Sequence, residues 1–335
     1  MNPINSTNTI NPINSLLLRN TLFTVFCAVG VVVFWAPLYR LTILSLDDSL
    51  YSHVILVPLF SIAIIYLKRK DVFLQVEYAP AIGAAVVLSG LMLFLAGQVY
   101  RQGLENYDYL SLCTGGFVLW LIGGFVGFFG RTAIRKAMFP LLFLFFAVPI
   151  PAVVLDQTTI FLQQMSAGAV EAIFRMIGLP YMRYGTVFEL PEVTIKVAEQ
   201  CSGIRSSLAL LVATTAAGYV FLETGWRRLI AVLAIVPITI FKNALRITAL
   251  TLMASYVDPS WLTDSWLHRA GGKPFFFIAL LLWAPILWLL WRSEKKRAKG
   301  AWSKVKGEGI RTETAQASGT KVQEEVDGKR TTSKT

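Results

Sequence analysis

The sequence predicts an all-α polytopic membrane protein of about eight transmembrane helices, with a small extracytoplasmic β-hairpin just before the helix that begins at Cys201. The 335 residues are 55% hydrophobic, and their mean hydropathy is +0.58. Only 15% of the residues are charged, whereas soluble domains carry about 25%. Long apolar runs recur along the chain, and Lys and Arg cluster after every second run. These observations exclude an ordinary soluble enzyme.

The basic balance of the chain points to a membrane surface as its partner. The formal net charge is +11, and 12 of the 31 Lys and Arg residues lie in the segment 292–335. Cationic clusters beside apolar spans are typical of proteins that face the anionic cytoplasmic leaflet. We therefore expect the lipid bilayer as a partner and no nucleic acid.

Eight apolar runs approach the roughly 20 residues that a transmembrane helix needs. They cover residues 21–38, 52–67, 80–97, 110–129, 137–155, 202–222, 229–254 and 275–291. Pro58 interrupts the second run, so a re-entrant segment is an alternative there. The polar, aperiodic segments 1–20 and 293–335 are expected to be disordered cytoplasmic ends, which leaves 21–292 as one transmembrane domain.

The positions of Lys and Arg predict the orientation of these spans. Basic clusters lie at 68–70, 131–136, 227–228 and 292–299, after the second, fourth, sixth and eighth runs. Short cytoplasmic loops collect such residues. Both termini are therefore expected in the cytoplasm, and the intervening loops are expected on the extracytoplasmic side.

The long extracytoplasmic stretch 156–200 contains two kinds of pattern. An amphipathic pattern through Ile177, followed by Gly178 and Pro180, predicts an interfacial helix. Apolar and polar residues then alternate over 193–197, after a turn at 190–192, and this predicts the β-hairpin. The second long stretch, 255–274, is expected to be an ordered loop.

Cys201 is the candidate nucleophile. It opens the sixth span, where unpaired N–H groups and the helix dipole favour a thiolate, and Arg205 follows one turn later. The alternative is an inert packed cysteine whose neighbours, Ser202 and Gly203, allow close helix contact. A disulfide between Cys201 and Cys113 is a further alternative, because both are expected near the outer ends of their spans.

Arg246 and the two histidines are the other candidate functional residues. Arg246 lies inside the seventh span, near its predicted outer end, and Asn243 shares its helix face. A buried arginine usually marks function, although snorkelling to the headgroups is an alternative. His268, just before the last span, can exchange a proton near neutral pH. His53 has either a substrate-side or a structural part. No metal or cofactor is expected, because these residues lack close ligand spacing.

Several separate segments together resemble the exosortase and archaeosortase family. They are Tyr51-Ser52-His53 with Pro58 shortly after it, the hairpin leading into Ala198-Glu199-Gln200-Cys201-Ser202-Gly203-Ile204-Arg205-Ser206, the segment Asn243-Ala244-Leu245-Arg246, and His268 before the last span. The resemblance covers roughly residues 20–292, and the block around Cys201 is its most specific part.

The resemblance implies a membrane cysteine protease or transpeptidase of a prokaryotic cytoplasmic (inner) membrane. The proposed catalytic set of the family corresponds to Cys201, Arg246 and His268. We add His53, Arg205, Asn243 and Ser202 as supporting or substrate-binding residues. The implied substrates are secreted proteins with a C-terminal Pro-Glu-Pro-like motif, an apolar helix and a basic end. A surface polysaccharide or lipid is the expected acceptor.

Two other functions fit the residues. A non-enzymatic transporter or assembly subunit for surface polysaccharide would use Arg246 as a charge along its pathway. A membrane protease would hydrolyse the same thioester without transferring the product.

Overall fold

The computed structural model describes residues 12–48, 50–197, 204–258 and 275–297, and it describes side chains from residue 17 onward. These ranges form helices and one small sheet. The helices are α1 (Pro12–Val33), α2 (Trp35–Asp47), α3 (Leu56–Leu67), α4 (Arg69–Val72), α5 (Pro80–Val99), α6 (Asn106–Phe143), a 3₁₀ turn (Leu144–Ala147), α7 (Ala152–Ile177), α8 (Ile204–Phe221), α9 (Gly225–Leu233), α10 (Ile235–Tyr256) and α11 (Phe275–Arg297). The strands are β1 (Met182–Tyr184), β2 (Val187–Glu189) and β3 (Thr194–Lys196).

The chain is a multi-span membrane protein, and the predicted fold class is confirmed. Within the described ranges, five continuous helical segments are long and apolar enough to cross a bilayer, or six if one bent pair counts as a span. The five are Pro80–Val99, Asn106–Ala147, Ile204–Phe221, Gly225–Tyr256 and Phe275–Arg297. The predicted number of eight is not confirmed by this criterion.

Part of the difference between the predicted and the observed number of spans arises because α6 folds back on itself at Gly130. This residue has φ 83° and ψ −175°, which only glycine adopts readily. Side chains before and after the turn share one core, in which Val118 and Phe125 lie in the same cluster as Leu144. The Ser111 hydroxyl donates a hydrogen bond to the Pro149 carbonyl at 2.5 Å, which joins the far ends of the two halves. The halves are thus antiparallel and correspond to the predicted fourth and fifth spans.

The predicted end of the fifth span was wrong. Helical structure stops at Ala147, and a new helix, α7, begins at Ala152. Pro149 and Pro151 explain the break, because proline supplies no backbone N–H and disfavours helical structure in the residue before it. The break makes α7 a helix separate from the one before it.

The first two predicted spans also differ from the structure. The first run is divided at Phe34, and α1 and α2 meet at an angle of 77°. Helix α1 begins at Pro12, inside the segment for which disorder is expected. Helix α3 has 12 residues, about 18 Å, which is shorter than the ~30 Å apolar core of a bilayer. The re-entrant alternative for this segment therefore remains.

The four basic clusters meet at one end of the bundle, which we call the basic end. Lys68 Nζ donates to the Tyr219 hydroxyl at 2.8 Å, and Arg228 stacks over the same ring. Lys136 Nζ donates to the backbone carbonyl of Asp71 at 2.9 Å. Arg227 forms an ion pair with Glu294 at 3.2 Å. This shared location agrees with the sequence prediction, in which the four basic clusters follow every second span and therefore lie on the same side.

The predicted helix through Ile177 and the hairpin are confirmed away from the basic end, while the interfacial position of the helix stays a prediction. Helix α7 ends at Ile177, with Gly178 in the left-handed conformation. Strands β2 and β3 pair antiparallel with Phe188 opposite Ile195. The sequence analysis missed β1, which pairs with β2 to complete an antiparallel sheet of order β1-β2-β3. The sheet packs against α7 and α10.

We expect Gly130→Ala to destabilise the protein by roughly 1–3 kcal/mol, because a side chain is strained at this φ and its Cβ would collide with the Glu77 carbonyl oxygen. Thermal unfolding of the purified protein in detergent measures the effect. Gly168→Ala is the control, since its Cβ has no neighbour within 4 Å. Equal melting temperatures for both variants would contradict the fold-back at Gly130.

Candidate active site

Helix α10 carries a polar face that is buried inside the protein. Lys242, Asn243 and Arg246 are 2%, 0% and 7% exposed. Residues three and four apart share a helix face, so Arg246 lies one turn beyond the other two side chains. Burial of two cations in a membrane span is costly, at about 2.5–3.5 kcal/mol each on insertion scales. A packing role alone does not require such residues.

Hydroxyl groups from two neighbouring helices contact this face. Lys242 Nζ donates to Ser206 Oγ of α8 at 2.5 Å. Asn243 Nδ2 donates to Ser166 Oγ of α7 at 3.0 Å, and Ser166 is also buried. These contacts hold α10 between α7 and α8 and fix the direction of its polar face.

The buried cations have no carboxylate partner among the described residues. The ion pairs in these ranges join Glu171 to Arg175 and Arg183, and Glu294 to Arg227. Arg246 Nε has no hydrogen-bond partner within the described ranges. The face is therefore positively charged in a region of low dielectric, where an anion is strongly stabilised.

The described residues on both sides of Cys201 border this region. Val197, which follows β3, packs in one cluster with Ala244 and Ile247 of α10. On the other side, Ser206 in the first turn of α8 accepts the hydrogen bond from Lys242. Cys201 and Ser202 themselves lie outside the described residues, as does His268.

The small sheet also indicates where Arg246 lies along the span. Ala244 and Ile247, which flank Arg246, form the contact of α10 with the sheet. The strands present polar residues such as Glu189 and Lys196 on their exposed side. Such a short sheet has unpaired backbone groups that the bilayer core does not tolerate. Arg246 therefore lies level with the sheet along α10, and its predicted position near the outer end of the span stays a prediction.

A charge network fixes the sheet to α7. Glu171 accepts hydrogen bonds from Arg183 of β1 and, at 2.5 Å, from Arg175 one turn along α7. The hydrogen bond from Arg183, together with the charges of both arginines, holds the pKa of Glu171 below its usual value. The carboxylate thus stays ionised at neutral pH and anchors the sheet that precedes Cys201.

His53 has the contacts of a structural residue. It is 6% exposed, and its Nε2 lies 3.2 Å from the Phe146 carbonyl oxygen. A carbonyl oxygen only accepts, so Nε2 carries the proton in this contact. Burial lowers the pKa of His53, which favours the neutral ring. This geometry fits the structural alternative for His53 and ties the loop before α3 to the end of the fifth span.

Arg205 and Cys113 lie apart from the polar face. Arg205 is exposed on the first turn of α8 and is close enough to Tyr107 to interact electrostatically with it. Cys113 is a free thiol that is fully buried against Gly97 of α5. The alternative of a disulfide between Cys113 and Cys201 is therefore not realised in the structure.

The sequence analysis missed part of this arrangement. Lys242 is not among the candidate residues predicted from the sequence, although two cations one turn apart in an apolar span are a visible signal. Ser166 and Ser206 had no distinguishing signal, because serine also serves close helix packing. Among the described residues, no group of three His, Cys, Asp or Glu side chains is arranged to hold a metal ion.

Comparison with known families agrees with the resemblance seen in the sequence. The model of the family described as transmembrane exosortase (Exosortase_EpsH) matches residues 43–285. No curated protein and no solved structure matches the chain significantly. The family match spans α3 to α11 and includes the polar face of α10 and the whole segment around Cys201. Because it covers most of the chain, the protein belongs to the transmembrane exosortases, a family of membrane-embedded, transpeptidase-like protein-sorting enzymes.

Proposed function

We propose that this protein is a cysteine transpeptidase that cleaves the C-terminal sorting signals of secreted proteins at the extracytoplasmic face of the membrane. The buried cationic face of α10 is the observation that carries this proposal. Val197, which packs against α10, and Ser206, which bonds to Lys242, lie on either side of the segment that contains Cys201. A thiolate and the oxyanion that forms from its substrate are the anions that such a face would stabilise.

The proposed reaction begins with attack of the Cys201 thiolate on the scissile carbonyl carbon. The carbonyl oxygen becomes an oxyanion, which the Arg246 guanidinium stabilises. The C–N bond then breaks, His268 donates a proton to the departing amine, and a thioester remains on Cys201. His268 next takes a proton from an amine or hydroxyl of the acceptor, which attacks the thioester and restores the thiolate.

The contacts of α10 support a fixed position for the Arg246 guanidinium during the proposed reaction. Asn243 bonds to Ser166 on one side and Lys242 bonds to Ser206 on the other, so the helix cannot rotate without breaking both contacts. A fixed guanidinium needs little reorganisation when negative charge develops, and this lowers the barrier. Lys242 adds a second positive charge one turn away.

The proposed orientation places the basic end in the cytoplasm of a prokaryote and the sheet outside its inner membrane. The common location of the four basic clusters supports this choice, because cytoplasmic loops collect Lys and Arg. The substrate would be a secreted protein with a Pro-Glu-Pro-like motif, an apolar helix and a basic end. Its helix would lie among the spans, with the scissile peptide at the outer face and a surface polysaccharide or lipid as the acceptor.

Coexpression with a secreted reporter tests the nucleophile. We expect a reporter with a Pro-Glu-Pro-like tail to lose the tail with the wild-type protein and to keep it with Cys201→Ala, since only a thiol can form the thioester. Immunoblotting and mass spectrometry of the new C-terminus measure the outcome. Cys113→Ala is the matched control and is expected to process the reporter normally.

Normal processing by Cys201→Ala would show that Cys201 is not the nucleophile. A reporter that keeps its tail with the wild-type protein would favour the transporter alternative, which does not need the thiol. A new C-terminus that carries no added group would instead identify the protein as a hydrolase.

Substitution of Arg246 tests the oxyanion role. Arg246→Ala is expected to slow processing about 100-fold or more, which is the usual cost of losing an oxyanion donor. Arg246→Lys is expected to be strongly impaired as well, because an ammonium group cannot reproduce the planar fork of donors. Initial rates of reporter cleavage measure both effects.

Arg40→Lys, at an exposed position on α2, is the control for the same chemical change. All three variants are compared at equal amounts in the membrane. Near-normal cleavage by Arg246→Ala at a normal protein level would show that the guanidinium has no part in the reaction.

A further inference from the structure

An apolar groove lies between α1, α3 and the two halves of α6, away from the polar face of α10. Its volume is about 1060 Å³. Its walls are mainly rings and branched aliphatic side chains, including Phe23, Ile62, Ile65, Phe125 and Leu141. A cavity of this size is at the upper end of the usual ~300–1,000 Å³ range of ligand pockets.

The groove is charged at only one of its ends. Arg69 and Lys70 line it where α3 is followed by α4, at the basic end of the bundle. Arg69 is held by stacking over the Tyr66 ring at 4.2 Å and by donating to the Tyr66 carbonyl at 2.9 Å. No acidic residue lines the groove among the described residues. A ligand that matches this surface has an apolar body and an anionic head.

The length of the groove matches one leaflet of a membrane. The wall formed by α3 and α4 runs from Pro58 to Arg69, which is roughly 16 Å at 1.5 Å per residue. Half of the ~30 Å hydrocarbon core of a bilayer is about 15 Å. An acyl chain of one leaflet would therefore fill the groove and place its headgroup beside the two cations.

We propose that this groove binds an anionic phospholipid from the leaflet at the basic end, with its acyl chains between α1 and α3 and its phosphate on Arg69 and Lys70. The lipid would complete the packing between two helices that both rest on α6. An apolar helix with a basic end fits this groove less well, because Arg69 and Lys70 would repel its charged terminus. The site is separate from the proposed reaction and does not depend on it.

Native mass spectrometry of the purified full-length protein tests this site with two probes, phosphatidylglycerol and phosphatidylcholine. We expect one phosphatidylglycerol to bind roughly 30-fold more tightly than phosphatidylcholine, since each basic residue near an anionic lipid contributes about fivefold. The double variant Arg69→Gln/Lys70→Gln is expected to lose this preference. Lys295→Gln/Lys296→Gln, which removes two basic residues of α11 outside the groove, is expected to keep it.

A second pair of variants tests the apolar part. Ile62 and Leu59 are neighbours on α3 with 64% and 60% exposure, but only Ile62 lines the groove. Ile62→Trp is expected to abolish tight binding of the lipid, and Leu59→Trp is expected to leave it unchanged. Thermal unfolding checks that each variant is folded.

Three results would overturn the proposal. One is a phosphatidylglycerol preference that survives Arg69→Gln/Lys70→Gln. Another is displacement of the lipid by inorganic phosphate alone, which would show that the acyl chains do not contribute. The third is a photo-crosslinker at residue 62 that captures a polypeptide rather than a lipid in cells, which would assign the groove to the sorting-signal helix.

Discussion

The burial of two cations on α10 is the constraint on which the rest of the structure depends. Insertion scales assign about 2.5–3.5 kcal/mol to a Lys or Arg at the centre of a span, and the Ser206 hydroxyl that meets Lys242 offsets only part of such a cost. The bundle keeps them by packing α7 and α8 on either side of α10 and by placing a small sheet against Ala244 and Ile247. In the proposed function, this arrangement stabilises negative charge.

The small sheet both contacts α10 and leads the chain toward Cys201. It closes one side of α10 at Ala244 and Ile247, and its last strand leads through Val197 directly into the segment that contains Cys201. The network of Glu171 with Arg183 fixes the sheet to α7. The described residues that lead into this segment are thereby held by the same elements that position Arg246.

The sequence predicted the features that depend on local pattern. The helical membrane class, the helix that ends before Gly178 and the β2–β3 hairpin follow from apolar length, a C-terminal glycine and alternation. The sequence predicted the fourth and fifth spans as separate helices, whereas the structure joins these two antiparallel segments into one helix that is interrupted at Gly130. The partners of Lys242 and Asn243 could not be predicted, because Ser206 and Ser166 are brought to α10 only by tertiary packing.

The central claim is that the sulfur of Cys201 becomes acylated next to the cationic face of α10. The most direct measurement is intact-protein and peptide mass spectrometry of the wild-type protein from cells that overproduce a sorting-signal substrate, denatured in acid at harvest so that the thioester is preserved. The account predicts an acyl adduct on the peptide that contains Cys201, which hydroxylamine removes. An unmodified Cys201 in cells where the substrate is cleaved, or an adduct on another side chain, would contradict it.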